Sequence, residues 1–238
     1  MYRHLGKNRT LKHNIKIAVI LSFVAGIVNI VGFLSIHQLT TNVTGHFALF
    51  INDIANFKIW EGTVYLLYIF FFILGSFTSS FFIEKYKSKS RKTNILPVLV
   101  LFEAALLVIV TFLFYKINNN HFIAGILLFA MGFQNSYVSK ISNTLVRTTH
   151  LTGLFTDLGI DLSHLFFAEH IQNRPKLLAS IKLRIYIILF FFLGGFSGGF
   201  FYSELKLGIN TLILAASILT ISAFFDSLKY RYIKYSRK

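Results

Sequence analysis

Asp53 and Asp161 each lie about two helical turns beyond a Thr-Gly pair, inside apolar runs. Carboxylates at membrane depth are expensive and mark proton or cation sites. The alternative is an interfacial Asp that reaches water from a shallow helix. Both belong to one repeated stretch. Thr40-Thr-Asn-Val-Thr-Gly45 returns as Thr148-Thr-His-Leu-Thr-Gly153 at a constant offset (148 − 40 = 108, 153 − 45 = 108). The register continues from Phe47 and Phe155 to the two Asp residues. A helix that starts inside a membrane presents free N–H groups and the positive end of its dipole. Thr44 and Thr152 are placed to cap those donors, and Gly45 and Gly153 to permit close backbone approach. Two such ends, with Thr41, Asn42 and Thr149 beside them, would bind an anionic or polar group. The blander reading is that they only end two short helices against neighbouring spans.

Other polar side chains stand in apolar company. Asn29, Gln134 and Asn135 can hydrogen-bond a ligand or hold the repeated stretches in shape, and the structural role is the expected one. Glu103 lies near the centre of an apolar run and has no acidic twin in the second half. It is either a proton-coupling residue or a carboxyl bonded to a neighbour. Asp157, Asp161 and His164 share one helical face at i, i+4 and i+7, a spacing that could ligate a metal. The first half offers Leu49, Asp53 and Asn56 there, so a solvated or paired face is the expectation, with no metal and no cofactor.

The elements that position these residues follow from composition. Hydrophobic residues make up 55% of the 238 and charged residues 14%. The mean hydropathy is +0.64. A soluble domain carries about 25% charged residues. The expected class is an all-α integral membrane protein whose partner is the lipid bilayer. There is no Cys, hence no disulfide or thiolate metal site. The net charge of +15 would suggest nucleic acid in a soluble chain, but the basic residues sit between apolar segments, so no nucleic-acid partner is expected.

Six segments have the roughly 20 residues needed to cross about 30 Å of hydrocarbon. They are Ile15–Ile36, Thr63–Ile83, Ile95–Tyr115, Phe122–Ile141, Ile181–Tyr202 and Ile209–Leu228. Lys and Arg crowd the segment before the first, 84–92, 142–180 and the tail 229–238. That alternation predicts a multi-pass protein with both termini in the cytoplasm. A full crossing at Thr40–Phe57 would move the basic 85–92 connection outside. Thr40–Phe57 therefore reads as a re-entrant or interfacial half-helix from outside, and Thr148–His164 as its partner from the cytoplasm.

The halves match elsewhere. Gly26-Ile-Val-Asn29 parallels Gly132-Phe-Gln-Asn135, and Leu74-Gly-Ser-Phe-Thr-Ser-Ser-Phe-Phe82 parallels Leu193-Gly-Gly-Phe-Ser-Gly-Gly-Phe-Phe201. The small residues read as close helix packing. Three spans per half require the second half to run upside down. The expectation is a single membrane domain, residues 1–238, of two inverted three-helix repeats, 15–115 and 122–228, followed by a basic cytoplasmic tail.

In this order of motifs, with Met131-Gly-Phe-Gln-Asn135 and Thr149-His-Leu-Thr-Gly153, the chain resembles the YoaK-type family of bacterial membrane proteins over about Ile15 to Leu228. That family is defined by a domain of unknown function. The resemblance implies a multi-pass protein of the bacterial cell membrane and no particular activity. His46 and Leu154 stand where its members often carry Asn.

A transporter or channel for a small polar solute or ion is the expected function, with Asn29, Thr41, Asn42, Thr44, Gly45, Asp53, Gln134, Asn135, Thr149, Thr152, Gly153 and Asp161 along its path. An enzyme is not expected, since His-Glu-x-x-His, Gly-x-Ser-x-Gly and a phosphate loop are missing. A non-transporting scaffold or sensor is the alternative.

Overall fold

A computed structural model describes residues 10–89, 95–167 and 173–235. Within them every regular element is helical. The helices are α1 (Leu11–Ile36), α2 (Thr44–Ala55), α3 (Ile59–Lys89), α4 (Leu96–Lys116), α5 (Asn120–Ser142), α6 (Leu151–His164), α7 (Arg174–Ser203) and α8 (Thr211–Tyr235). A 3-10 turn, Gly208–Asn210, leads into α8. Six of these, all except α2 and α6, are long and apolar enough to cross a membrane. The chain is a multi-pass membrane protein by that measure.

Several boundaries differ from the sequence reading. α3 and α7 extend beyond Thr63–Ile83 and Ile181–Tyr202, because the polar residues flanking each apolar run are themselves good helix formers. α7 has Pro175 at its first turn, where a missing N–H costs nothing. Residues 229–235 of the basic tail continue α8 as helix. The basic positions 1–9 and 90–94, part of the 164–180 insert (168–172), and 236–238 lie outside the described residues.

Two helix pairs form the core, and each is parallel. In the first, Phe23 and Gly26 of α1 meet Gly194, Phe191 and Gly195 of α7. Farther along, Ile30 meets Gly198, and Tyr202 Oη donates to the Leu34 carbonyl (3.2 Å). In the second, Phe71 of α3 meets Gly125 of α5, Gly75 meets Phe129, and Ser76 Oγ donates to the Gly132 carbonyl (2.9 Å). Lys140 and Glu84 close that pair with an ion pair at 2.6 Å. α4 and α8 pack together, with Asn210 Nδ2 donating to Tyr115 Oη at 3.1 Å. α1 and α5 cross in the centre, where Gln134 Nε2 donates to the Leu21 carbonyl (3.0 Å).

The glycines explain how the pairs come so close. A Cβ on Gly26 would land on the Phe191 carbonyl, and one on Gly132 on the Phe72 carbonyl. A Cβ on Gly194 would land on the Phe23 carbonyl, and one on Gly75 on the Phe129 carbonyl. Each backbone thus lies against its neighbour with no side chain between, which is how apolar helices gain contact in lipid.

Candidate functional site

α1 and α5 end alike. His37 and Asn143 take the left-handed conformation (φ 55 for both), and their N–H groups cap Phe33 and Ser139 carbonyls. The chain then turns back along the helix it has just left. Thr40 Oγ1 donates to the Val28 carbonyl (3.1 Å) and Thr41 Oγ1 to Asn29 Oδ1 (2.7 Å). In the second half Asn135 Nδ2 donates to Thr149 Oγ1 (2.5 Å) and Gln134 Nε2 to Thr148 Oγ1 (2.8 Å). Thr148 Oγ1 in turn donates to Asn135 Oδ1 (3.3 Å). Asn29 and Asn135 precede their helix ends, Ile36 and Ser142, by the same span, which is roughly 10 Å at 1.5 Å per residue. Each Thr-Thr segment is therefore clamped about that far back from the end of the helix before it.

The expected capping role of Thr44 and Thr152 is corrected. Helix α2 starts at Thr44 itself with Val43 in the cap position, and α6 starts at Leu151 with His150 there. Neither helix has a side-chain cap, and both Thr44 and Thr152 are exposed. The role of Gly45 and Gly153 also changes. They make room for side chains, Leu39 and His150, and not for the backbone of a neighbouring helix. Asn42 is half-buried beside Gly45.

The two Asp residues, equivalent in sequence, have different surroundings. Asp161 pairs with Arg184 Nη1 of α7, and Asp157 approaches Arg184 Nη2 at 3.4 Å. Arg184 also donates to Ser180 Oγ (2.7 Å). Two of the three residues on the supposed metal face are thereby committed to a guanidinium. Asp53 accepts only a 3.2 Å bond from its neighbour Asn52 and lies against Gly62. Arg184→Met should detach this end of α6, costing about 1.5–3 kcal/mol for the lost charge-assisted bonds. Arg184→Lys should recover part of it, and thermal midpoints in detergent would measure both.

Glu103 is fully buried, and its Oε2 accepts a 2.6 Å bond from Tyr137 Oη of α5. Its Oε1 has no hydrogen-bond partner.

A cavity of about 980 Å³ opens between α1, α6 and α7. Asn29, Ser203 and Glu204 are the polar residues of its lining; Leu151, Phe155, Ile188, Phe192 and similar apolar side chains form the rest. Thr44 and Thr152 are not among the lining residues. α2 meets α3 through His46, whose ring lies between Tyr65 and Tyr68.

Residues 17–225 fit one protein-family model, described as a protein of unknown function, DUF1275. The chain belongs to the DUF1275 family. No curated protein and no solved structure matches it. In this DUF1275 chain the sequence-derived candidates Asn29, Thr41, Gln134, Asn135 and Thr149 gather at the two Thr clamps. Asp53, Asp161 and Glu103 do not join them in any described hydrogen bond or ion pair. Sequence reasoning passed over Arg184, Tyr137 and Thr148. A lone Arg at the start of an apolar run was the available signal for the first.

Proposed function

We propose that this chain is a membrane transporter or channel built from two inverted three-helix repeats, 15–115 and 122–228. The observation that carries the reading is the duplication of contacts. Exchanging the halves maps the Gly26–Phe191 approach onto Gly132–Phe72, and Gly194–Phe23 onto Gly75–Phe129. It also maps the Asn29–Thr41 bond onto Asn135–Thr149. The pairing of helices is unchanged by the exchange: α1 with α7 becomes α5 with α3, and α4 with α5 becomes α8 with α1. With three spans per half, such units point in opposite directions, an arrangement that secondary transporters use to expose a site alternately.

In this reading α2 and α6 are re-entrant half-helices from opposite faces. The basic connections support both termini on the cytoplasmic face of a bacterial cell membrane. α2 packs on its partner span through the buried His46, whereas α6, held to α7 at Arg184, borders the groove that it shares with α1 and α7. That asymmetry is what an alternating cycle would freeze in one state. The apolar groove walls favour a solute with an apolar body beside its polar group over a small ion. The same largely apolar lining is the observation that favours the second reading, a non-transporting scaffold or sensor. Catalysis enters neither.

Purified protein in liposomes, loaded with a panel of small organic ions and neutral solutes, separates the two. The transport reading expects at least one solute to equilibrate faster than in empty vesicles. It also expects Asn29→Leu and Asn135→Leu to slow that flux tenfold or more per folded molecule. Flux equal to empty vesicles for every solute supports the scaffold.

A further inference from the structure

The half-helix α2 has a single buried residue, His46. Its ring is fully buried. Nε2 lies 2.5 Å from the Leu39 carbonyl, an acceptor only, so Nε2 carries the proton. Nδ1 is then the lone-pair nitrogen, and it is buried with no hydrogen-bond partner. The ring stacks on Tyr65 (centroids 6.0 Å) and meets Tyr68 edge-on (4.8 Å). Tyr68 Oη in turn pairs with His121 Nδ1 of α5 at 2.6 Å. The equivalent position in α6 is Leu154, also buried. The duplicated scaffold therefore does not require a titratable residue here, and only one half has it.

We propose that His46 is an acid-released latch that holds α2 against α3 when neutral and frees it when protonated. A proton on Nδ1 would place a cation, and a new N–H with nothing to bond, inside a cage of rings. Attraction to the Tyr faces offsets only part of that cost. The groups facing His46 are Tyr65 and Tyr68 from α3, with His121 of α5 behind them. The nearby carboxylates, Asp53 and Glu61, lie within electrostatic reach of Tyr65, and neither bonds the His46 ring: Glu61 pairs with Lys58 (3.5 Å) and Asp53 accepts from Asn52 (3.2 Å). Burial lowers the His46 pKa from 6.5, against a smaller upward pull from the Leu39 carbonyl. A lowered pKa in the packed state means that release takes up the proton. The latch is at full strength above about pH 6.5 and weakens steadily as pH falls below it. This rests on the packing of α2 alone and stands or falls independently of transport.

The test is performed on purified protein in detergent, where membrane side is irrelevant. The chain has no native Cys. Leu39→Cys keeps the carbonyl that His46 binds and reports on the space under α2. Phe57→Cys, at a 90% exposed position, corrects for the pH dependence of the thiol itself. The ratio of their labelling rates with a small charged methanethiosulfonate should rise at least tenfold from pH 7.5 to 5.0. With His46→Leu, the residue α6 already uses, the ratio should stay flat. A flat ratio with His46 in place overturns the latch, as does an equal rise with His46→Leu. Should His46→Leu fail to fold, His46→Phe takes its place, and the measurement with His46 intact still decides.

Discussion

Gly26→Leu and Gly132→Leu should each abolish recovery of folded protein from detergent extracts, while Gly199→Ala leaves it intact. At Gly26 and Gly132 an added Cβ meets a carbonyl of the neighbouring helix, and backbone cannot rotate out of the way. Even alanine there should cost about 3 kcal/mol, the upper end of what overpacking usually costs. Leucine exceeds that by more than the packing of one helix pair can supply. Gly199 is the contrast. A Cβ there would stand 3.6 Å from Ile30 Cγ1, an ordinary contact, and alanine gains up to about 1 kcal/mol in helix propensity. Gly195→Ala should behave like Gly199→Ala, since its nearest neighbour would be 3.7 Å away. Size-exclusion profiles after stepwise heating distinguish the two classes. The equivalence of Gly26 and Gly132 makes the prediction sharper, because both must fail to the same degree.

Tyr137→Phe should destabilise by about 1–3 kcal/mol, because it strips the hydrogen bond from a fully buried carboxyl. Glu103→Gln should cost less than about 1 kcal/mol, since it keeps an oxygen to accept from the hydroxyl and nearly the same volume. The thermal midpoint in detergent measures both. If Gln is as damaging as Phe at position 137, the hydroxyl is not what Glu103 requires. In liposomes the same Glu103→Gln protein should lose at least tenfold of any flux driven by a proton gradient, because an amide cannot carry the proton. Normal proton-driven flux would remove Glu103 from the coupling role and leave it a structural residue.

These outcomes also mark what could be read from the residue order. The duplication was readable because it is written in residue types at constant offset, and Gly26, Gly132, Gly75 and Gly194 all turned out to sit at backbone crossings. The six apolar helices followed from length and hydropathy. What failed was local. Thr44 and Thr152 looked like caps because a Thr before an apolar run usually is one. The helices instead begin at Thr44 and Leu151, leaving the two Thr residues inside the first turn. The Thr residues that do bond to the neighbouring helix begin four residues earlier, at Thr40–Thr41 and Thr148–Thr149, where the chain folds back on α1 and α5. That return depends on the left-handed residues His37 and Asn143, which carry no glycine signature. Partners across helices were illegible for a related reason. Nothing in the spacing of Asp161 and Arg184, or of Glu103 and Tyr137, says that the helices bring them together. Such pairs follow from the packing of whole elements, which the glycine crossings set.

The inverted arrangement is tested most directly by labelling single cysteines from each side of a sealed membrane. Thr44→Cys and Thr152→Cys suit this, because both positions are exposed and neither belongs to a clamp. A small impermeant thiol reagent should reach the first from the outer face only and the second from the cytoplasmic face only. If both react from the same face, the two half-helices do not enter from opposite sides, and the transport reading loses its basis.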